Sequence, residues 1–165
     1  MSFFKPDRFF TRITKVDIQK DVLDAGKKAL FLDIDNTILT RDTHEVPADI
    51  EQWLQDARDA GVKICLVSNN WHEGVLHLAD RLGLPIVSHA VKPLPFAYLL
   101  AFKRSGIKRR ETVCIGDQLI TDVFGGHFLG MPVIMVKPLV KADLKHTLIL
   151  RHVEKLFLRD LQPEK

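Results

Sequence analysis

From residue 29 onward the chain alternates short apolar runs with amphipathic stretches, and the period of each predicts an element. Residues 29–34 are an apolar run of strand length. Residues 47–60 place Ile50, Trp53, Leu54 and Ala57 at helical spacing, with Gly61 as a stop. Residues 62–67 form a second apolar strand ending at Ser68, and residues 71–82 a helix closed by Gly83. A short strand over 85–87 is followed by a helix over 93–105, stopped by Gly106. Residues 112–115 make a strand ending at Gly116 and Asp117. A helix over 121–129 tolerates Gly125 and Gly126, glycines of the kind that mark close packing of a helix on a sheet. The strand over 132–136 precedes a last helix over about 143–159.

About five strands alternate with helices, and the strands are apolar along their whole length. That pattern belongs to a doubly wound parallel α/β sheet with both faces covered. The chain of 165 residues fits one such unit. Residues 1–28 stand outside the alternation. Their phenylalanines, Phe3, Phe4, Phe9 and Phe10, read as an N-terminal arm packing on a core that spans 29–165.

Composition narrows the function classes. A net charge of +3, without a concentrated basic face, gives no reason to expect a nucleic-acid partner. Cys65 and Cys114 form no Cys-x-x-Cys pair, and the seven histidines show no metal spacing. In the expected strand order the first strand separates the two cysteines by about 9–10 Å, too far for a disulfide. Polar residues Lys5, Asp7 and Arg8 interrupt the start, so no signal peptide is read there. No apolar run approaches the about 20 residues that span a bilayer. A cytoplasmic setting is therefore expected. Residues 94–102 are apolar nearly all round, which reads as a buried helix. With the phenylalanine-rich start and the basic last helix, the same stretch is the place to look for peripheral membrane contact.

The chemistry lies at the strand ends. In such sheets ligands bind beyond the carboxyl ends of the strands, at the switch in strand order. The first strand ends in Asp33 and Asp35, spaced so that both point to one side. Two such carboxylates repel each other unless a cation or a proton sits between them. An EF-hand calcium loop also begins with this spacing. It needs glycine at its sixth position and an acid at its twelfth, which here are Ile38 and His44. The second strand ends in Ser68 and Asn69. Lys92 follows the third, and Asp117 and Asp122 follow the fourth. Taken singly, Asp122 also reads as a helix cap and Lys92 as a surface lysine. Together, four successive strand ends deliver carboxylates, a hydroxyl and a lysine to one edge.

The set Asp33-x-Asp35-x-Thr37, Ser68, Lys92 and Gly116-Asp117 with Asp122 resembles the four motifs of the haloacid dehalogenase (HAD) superfamily of phosphatases. The runs around Asp35-Asn36-Thr37, Ser68-Asn69, Lys92-Pro93 and Gly116-Asp117-Gln118 are similar to its subclass IIIA, specifically the YqeG family. That family is similar to phosphatidylglycerophosphate phosphatases. The resemblance implies a HAD-like Rossmannoid fold and a phosphorylated substrate. It makes Asp33 the nucleophile of an aspartyl-phosphate mechanism and Asp35 the general acid and base. Ser68, Asn69 and Lys92 would bind phosphate, with Lys92 also stabilising the transition state. Mg²⁺ would be held by Asp33, the backbone carbonyl of Asp35, and Asp117. Asp122 would orient Lys92 or support the metal shell, and Asn36 and Thr37 would shape the loop.

Spacing adds one further expectation. The helices already assigned fill the intervals from Asp33 to Ser68 and from Ser68 to Lys92, leaving no room for a large cap domain. An open site suits a bulky phosphate carrier, such as a phosphatidylglycerophosphate-like lipid. Phosphoproteins, nucleotides and sugar phosphates are alternative substrates for the same residues. A retired enzyme kept as an interaction module has no physical reason to hold these carboxylates together.

Overall fold

A computed structural model describes residues 3–140 and 161–164. The helix expected over 143–159 lies outside them. Among the described residues six strands form one wholly parallel sheet: β1 (Arg8–Phe10), β2 (Ala29–Leu32), β3 (Lys63–Val67), β4 (Ile86–Val87), β5 (Thr112–Gly116) and β6 (Val133–Val136). Their order across the sheet is β1-β6-β5-β2-β3-β4. Four α-helices accompany them: α1 (Ala48–Asp59), α2 (Glu73–Leu82), α3 (Pro95–Ser105) and α4 (Gly125–Phe128). The α/β architecture read from the alternation is the one observed, and among the described residues no cap domain is inserted into it.

Period-two alternation sorts the strand residues onto two faces. Leu30, Leu32, Ile64, Leu66, Val113 and Ile115 join one core with Ile50, Trp53 and Leu54 of α1 and Val75 and Leu78 of α2. Phe31, Cys65, Val67 and Cys114 join a second with Ala97, Tyr98 and Ala101 of α3 and with Leu119 and Val123. The sheet is therefore covered on both sides, as a parallel sheet must be to bury strands of this apolarity. Phe31 of β2 pairs with Cys65 on one side and Cys114 on the other, so the two thiols stay separate and free. Burial pushes both thiols up to about 12.

The N-terminal segment does more than the packing arm expected of it. Arg8–Phe10 adds a sixth strand beside β6, beyond the five in the alternation. Three residues after a polar start are too few to carry a period. The strand is held from several sides. The Arg8 guanidinium pairs with Asp21 and Glu164 and lies over the Phe10 ring. The Glu164 N–H donates to the Phe9 carbonyl at 2.6 Å. The Trp53 indole N–H donates to the Val16 carbonyl at 2.8 Å, tying this segment to α1.

Three other expectations shift. Helices α2 and α3 each begin two residues later than their patterns predict, at Glu73 and Pro95. Each ends at a glycine in the left-handed region, Gly83 at φ 63° and Gly106 at φ 64°, where a side chain would be strained. The helix expected over 121–129 starts earlier, as a wide π turn over Leu119–Phe124, and becomes α-helical only in α4. Within that turn the Asp122 carboxylate folds back to accept the Gln118 N–H at 3.1 Å. Finally, α3 is not a buried helix. Ala97, Tyr98 and Ala101 face the sheet, but among the described residues no further layer covers the other side, and Phe96 and Leu99 are exposed.

Gly126 has the sheet-packing role expected of the double glycine, whereas a Cβ at Gly125 would meet Tyr98 of α3 at 3.1 Å. A Cβ at Gly126 would lie 2.5 Å from Val133 Cγ2 and 3.2 Å from Cys114 Cβ, both on the sheet. Gly126→Val should cost about 3 kcal/mol, the upper end of overpacking penalties, because the helix-propensity gain over glycine is below about 1 kcal/mol. Urea unfolding should show a lower midpoint at unchanged slope. An unchanged midpoint would mean that the helix can move off the sheet freely.

Candidate active site

Strand β2 leads to α1 on one face and its neighbour β5 leads to the 119–128 segment on the other. The two connections part, and a crevice opens between the strand ends. The Asp33 N–H still donates to the Ile115 carbonyl at 2.9 Å, which fixes its side chain at the floor of this crevice. Directly afterwards the chain turns tightly. The Ile34 carbonyl accepts the N–H groups of Thr37, Ile38 and Leu39, and Asn36 sits at φ 64°, a conformation asparagine tolerates better than most residues. The turn brings the Thr37 hydroxyl back to donate to Asp33 Oδ2 at 3.2 Å. Thr37 thus acts on the Asp33 carboxylate itself, as well as on the loop.

At the centre is a buried lysine. Lys92 Nζ donates to Asp33 Oδ1 at 2.6 Å and to Asp122 Oδ1 at 2.6 Å, and its side chain is 3% exposed. Burial alone would favour the neutral amine, but the charges of Asp122 and Asp33 outweigh it, and the lysine pKa is raised. Asp122 is also buried. Loss of water pushes its carboxyl up to about 6 even with Lys92 pulling the other way. Lys92 is thus the cation shared by the two carboxylates. Gly116 is required by the same arrangement, since a Cβ there would stand 2.2 Å from Asp122 Cγ. One carboxylate oxygen each from Asp33, Asp117 and Asp122 lie within 4.8 Å of one another.

The end of β3 serves two partners at once. Successive residues of an extended segment point to opposite sides. Asn69 turns one way and grips the backbone of Lys92 with both ends of its amide. Its Oδ1 accepts the Lys92 N–H at 2.7 Å, and its Nδ2 donates to the Lys92 carbonyl at 3.1 Å. Asn70 turns the other way and donates from Nδ2 to both oxygens of Asp35, at 3.1 and 3.2 Å. Buried Ser68 accepts the Asn70 N–H on Oγ at 2.9 Å. That bond uses a lone pair and leaves the hydroxyl proton for another acceptor. The grip on Lys92 follows a strained approach: His89 and Val91 both have positive φ, at 54° and 53°. For β-branched Val91 this is a costly conformation.

Asp35 stands apart from the carboxylate cluster. Burial, and next the charge of Asp33, raise its pKa, while the Asn70 amide opposes the shift. The structure thus gathers Asp33, Ser68, Asn69, Lys92, Asp117 and Asp122 around one crevice, with Asp35 and Thr37 on its flanking turn. It gives Asn69 a visible hold on Lys92, where the sequence reading had it as a phosphate ligand. It also adds Asn70, which that reading did not single out, and gives Gly116 of the last motif a packing reason. The signal for Asn70 was the second asparagine after Ser68, since adjacent strand-end residues diverge.

An oxygen-only donor set of three carboxylates fits a hard divalent cation. Asp122 joins Asp33 and Asp117 in this cluster, beside the lysine it was expected to orient.

Residues 7–130 match the haloacid dehalogenase-like hydrolase family, so the chain belongs to the HAD-like hydrolases. It is 32% identical over 160 residues to the Bacillus subtilis (strain 168) protein named "Probable phosphatase YqeG", covering 97% of this chain and 92% of that one. Among solved structures, the fold is similar to the cobalt-bound deoxy-D-mannose-octulosonate 8-phosphate phosphatase of Haemophilus influenzae. The TM-score is 0.54 at 12% identity, over 82% of this chain and 89% of that one. A Legionella pneumophila protein assigned to HAD subfamily III A matches with a TM-score of 0.53 at 17% identity, over 86% and 88% of the two chains.

Removing the Lys92 charge should leave two buried carboxylates without their cation. Lys92→Met is expected to destabilise the protein by about 3–5 kcal/mol. Adding Asp122→Asn to Lys92→Met should recover part of that loss, measured as a double-mutant cycle by urea denaturation. Strictly additive losses would mean that the two side chains do not act as a pair.

Proposed function

We propose that this HAD-like hydrolase is a Mg²⁺-dependent phosphomonoesterase that works through an aspartyl-phosphate on Asp33, with lipid phosphates as its substrate class. The observation that carries the reading is the Asp33–Lys92–Asp122 chain of charged hydrogen bonds beside Asp117. The phosphatases named among the relative and the structural neighbours support it.

An Asp33 oxygen attacks phosphorus, and the bond from phosphorus to the leaving oxygen breaks. Asp35, whose raised pKa favours the protonated form, gives that oxygen its proton. As a carboxylate, Asp35 then takes a proton from water, whose oxygen attacks the same phosphorus. The phosphorus bond to Asp33 breaks, and inorganic phosphate leaves with Asp33 restored. Lys92 and the Ser68 hydroxyl donate to the non-bridging oxygens, where charge grows in the transition state. Asn69 positions Lys92, Asn70 positions Asp35, and Asp122 holds the lysine head. Asp33 and Asp117, with Asp122 adjoining, would hold Mg²⁺. When bound, the cation would supply charge neutralisation for the phosphate.

A phosphate carried by a lipid is favoured over free sugar or nucleotide phosphates by two features. Among the described residues no cap closes over the crevice, and exposed apolar side chains, Trp71 and Val91, stand directly beside it in sequence. A bulky apolar carrier covers such a rim and excludes water in place of a cap.

The deciding assay is phosphate release from p-nitrophenyl phosphate. Turnover should require Mg²⁺, cease with EDTA and return when Mg²⁺ is restored. It should disappear in Asp33→Asn and fall by about 10²–10⁴-fold in Asp35→Asn. Beryllofluoride with Mg²⁺ should raise the melting temperature of the wild type but not of Asp33→Asn. Metal-independent turnover, or full activity in Asp33→Asn, would overturn the mechanism.

A further inference from the structure

We propose that the exposed face of α3, continued by Trp71 and Val91 at the mouth of the crevice, is a docking surface for an anionic lipid bilayer. The inference deepens the lipid-phosphate reading and rests on it for its biological purpose.

Helix α3 has two unlike sides. Ala97, Tyr98 and Ala101 pack on the sheet. Phe96, Leu99, Leu100 and Lys103 follow one another at helical spacing on the other side. Phe96 is 70% exposed and Trp71 is 71% exposed, fractions unusual for side chains with so much apolar area to hide from water. The surface is continuous with the site along the chain. Trp71 follows Asn70, whose amide holds Asp35. Val91 precedes Lys92, and the Leu94 N–H donates to the Val91 carbonyl at 3.0 Å, which leads directly into α3. A layer lying on these side chains would meet the crevice at its edge.

Charge selects the occupant. Residues 81–110 contain no aspartate or glutamate. Lys103, Arg104, Lys108, Arg109 and Arg110 are all exposed at the end of α3 and just beyond it. Aromatic and leucine side chains beside a run of cations are the composition of helices that lie in the plane of a membrane interface. There the rings enter the acyl boundary and the cations meet anionic headgroups. An apolar protein groove would accept the stripe of α3, but it would give no reason for thirty residues without a carboxylate. Among the described residues no helix is long and apolar enough to cross a membrane, so contact there would lie along the surface.

The two tryptophans make the test direct. Trp53 is buried and hydrogen-bonded to the Val16 carbonyl, so a change in emission on docking reports Trp71. The full chain is mixed with vesicles of phosphatidylcholine alone or of phosphatidylcholine with phosphatidylglycerol, then followed by sedimentation and tryptophan emission. Binding and a blue shift are expected only with phosphatidylglycerol present. The double variant Phe96→Ser, Leu99→Ser should lose at least about tenfold in partition while hydrolysing p-nitrophenyl phosphate as the wild type does. Phe128→Ser, on a separate exposed aromatic patch beside Phe124, should bind as the wild type. No binding by the wild type, equal binding by the double variant, or a mass change showing self-association on this face without vesicle binding would each overturn the proposal. Hydrolysis of detergent-dispersed phosphatidic acid separates the two readings. Its absence with vesicle binding intact would remove the lipid substrate and leave the docking surface standing.

Discussion

The arrangement depends on one buried ammonium. Lys92 carries its charge into a place almost without solvent, where it is tolerable only because Asp33 and Asp122 each accept one of its protons at 2.6 Å. The reverse also holds, since each carboxylate has given up water at that depth and has the ammonium as its partner instead. Much of the neighbouring structure follows from this mutual need. Gly116 lacks a side chain because Asp122 occupies the space. The turn after β5 is wide and brings Asp122 inward. Val91 accepts a strained backbone so that Lys92 arrives from the correct side, and Asn69 holds that backbone at both its N–H and its carbonyl.

The fold was legible because its signals are long-range in pattern and redundant in kind. Apolar strand, turn glycine and amphipathic helix repeat several times, and each repetition supports the others. Asp33, Lys92, Asp117 and Asp122 were legible for a different reason. Carboxylates at the ends of apolar strands are costly unless something compensates them, so their positions carry information that surface acids do not. Strand β1 was hidden because three residues cannot display a period. The exposure of α3 was hidden because periodicity reports how apolar a helix is, not how many layers lie above it. Residues 97, 98 and 101 were sufficient to pack it, and the remaining apolar positions stayed outside.

Asn69 and Asn70 illustrate a subtler limit. Their residue type announces polar contact but not its partner, and phosphate and backbone are equally good hydrogen-bonding matches for an amide. Only the divergence of neighbouring side chains at the end of β3 separates their duties. One then supports a cation, and the other the carboxylate that would move protons. Two groups with different chemical tasks are thereby referenced to a single strand end, which fixes their separation through covalent geometry and sheet register.

The strand order carries a consequence for assembly. One margin of the sheet, β4, is two residues long. The opposite margin, β1, is engaged by the backbone of Glu164 and by the Arg8 ion pairs. Neither margin offers a long row of unpaired amides and carbonyls to a neighbouring chain. The sheet is in effect closed against lateral growth, and association through the described residues must proceed through helical or loop surfaces, leaving the strand ends that bear the chemistry outside any shared β-structure.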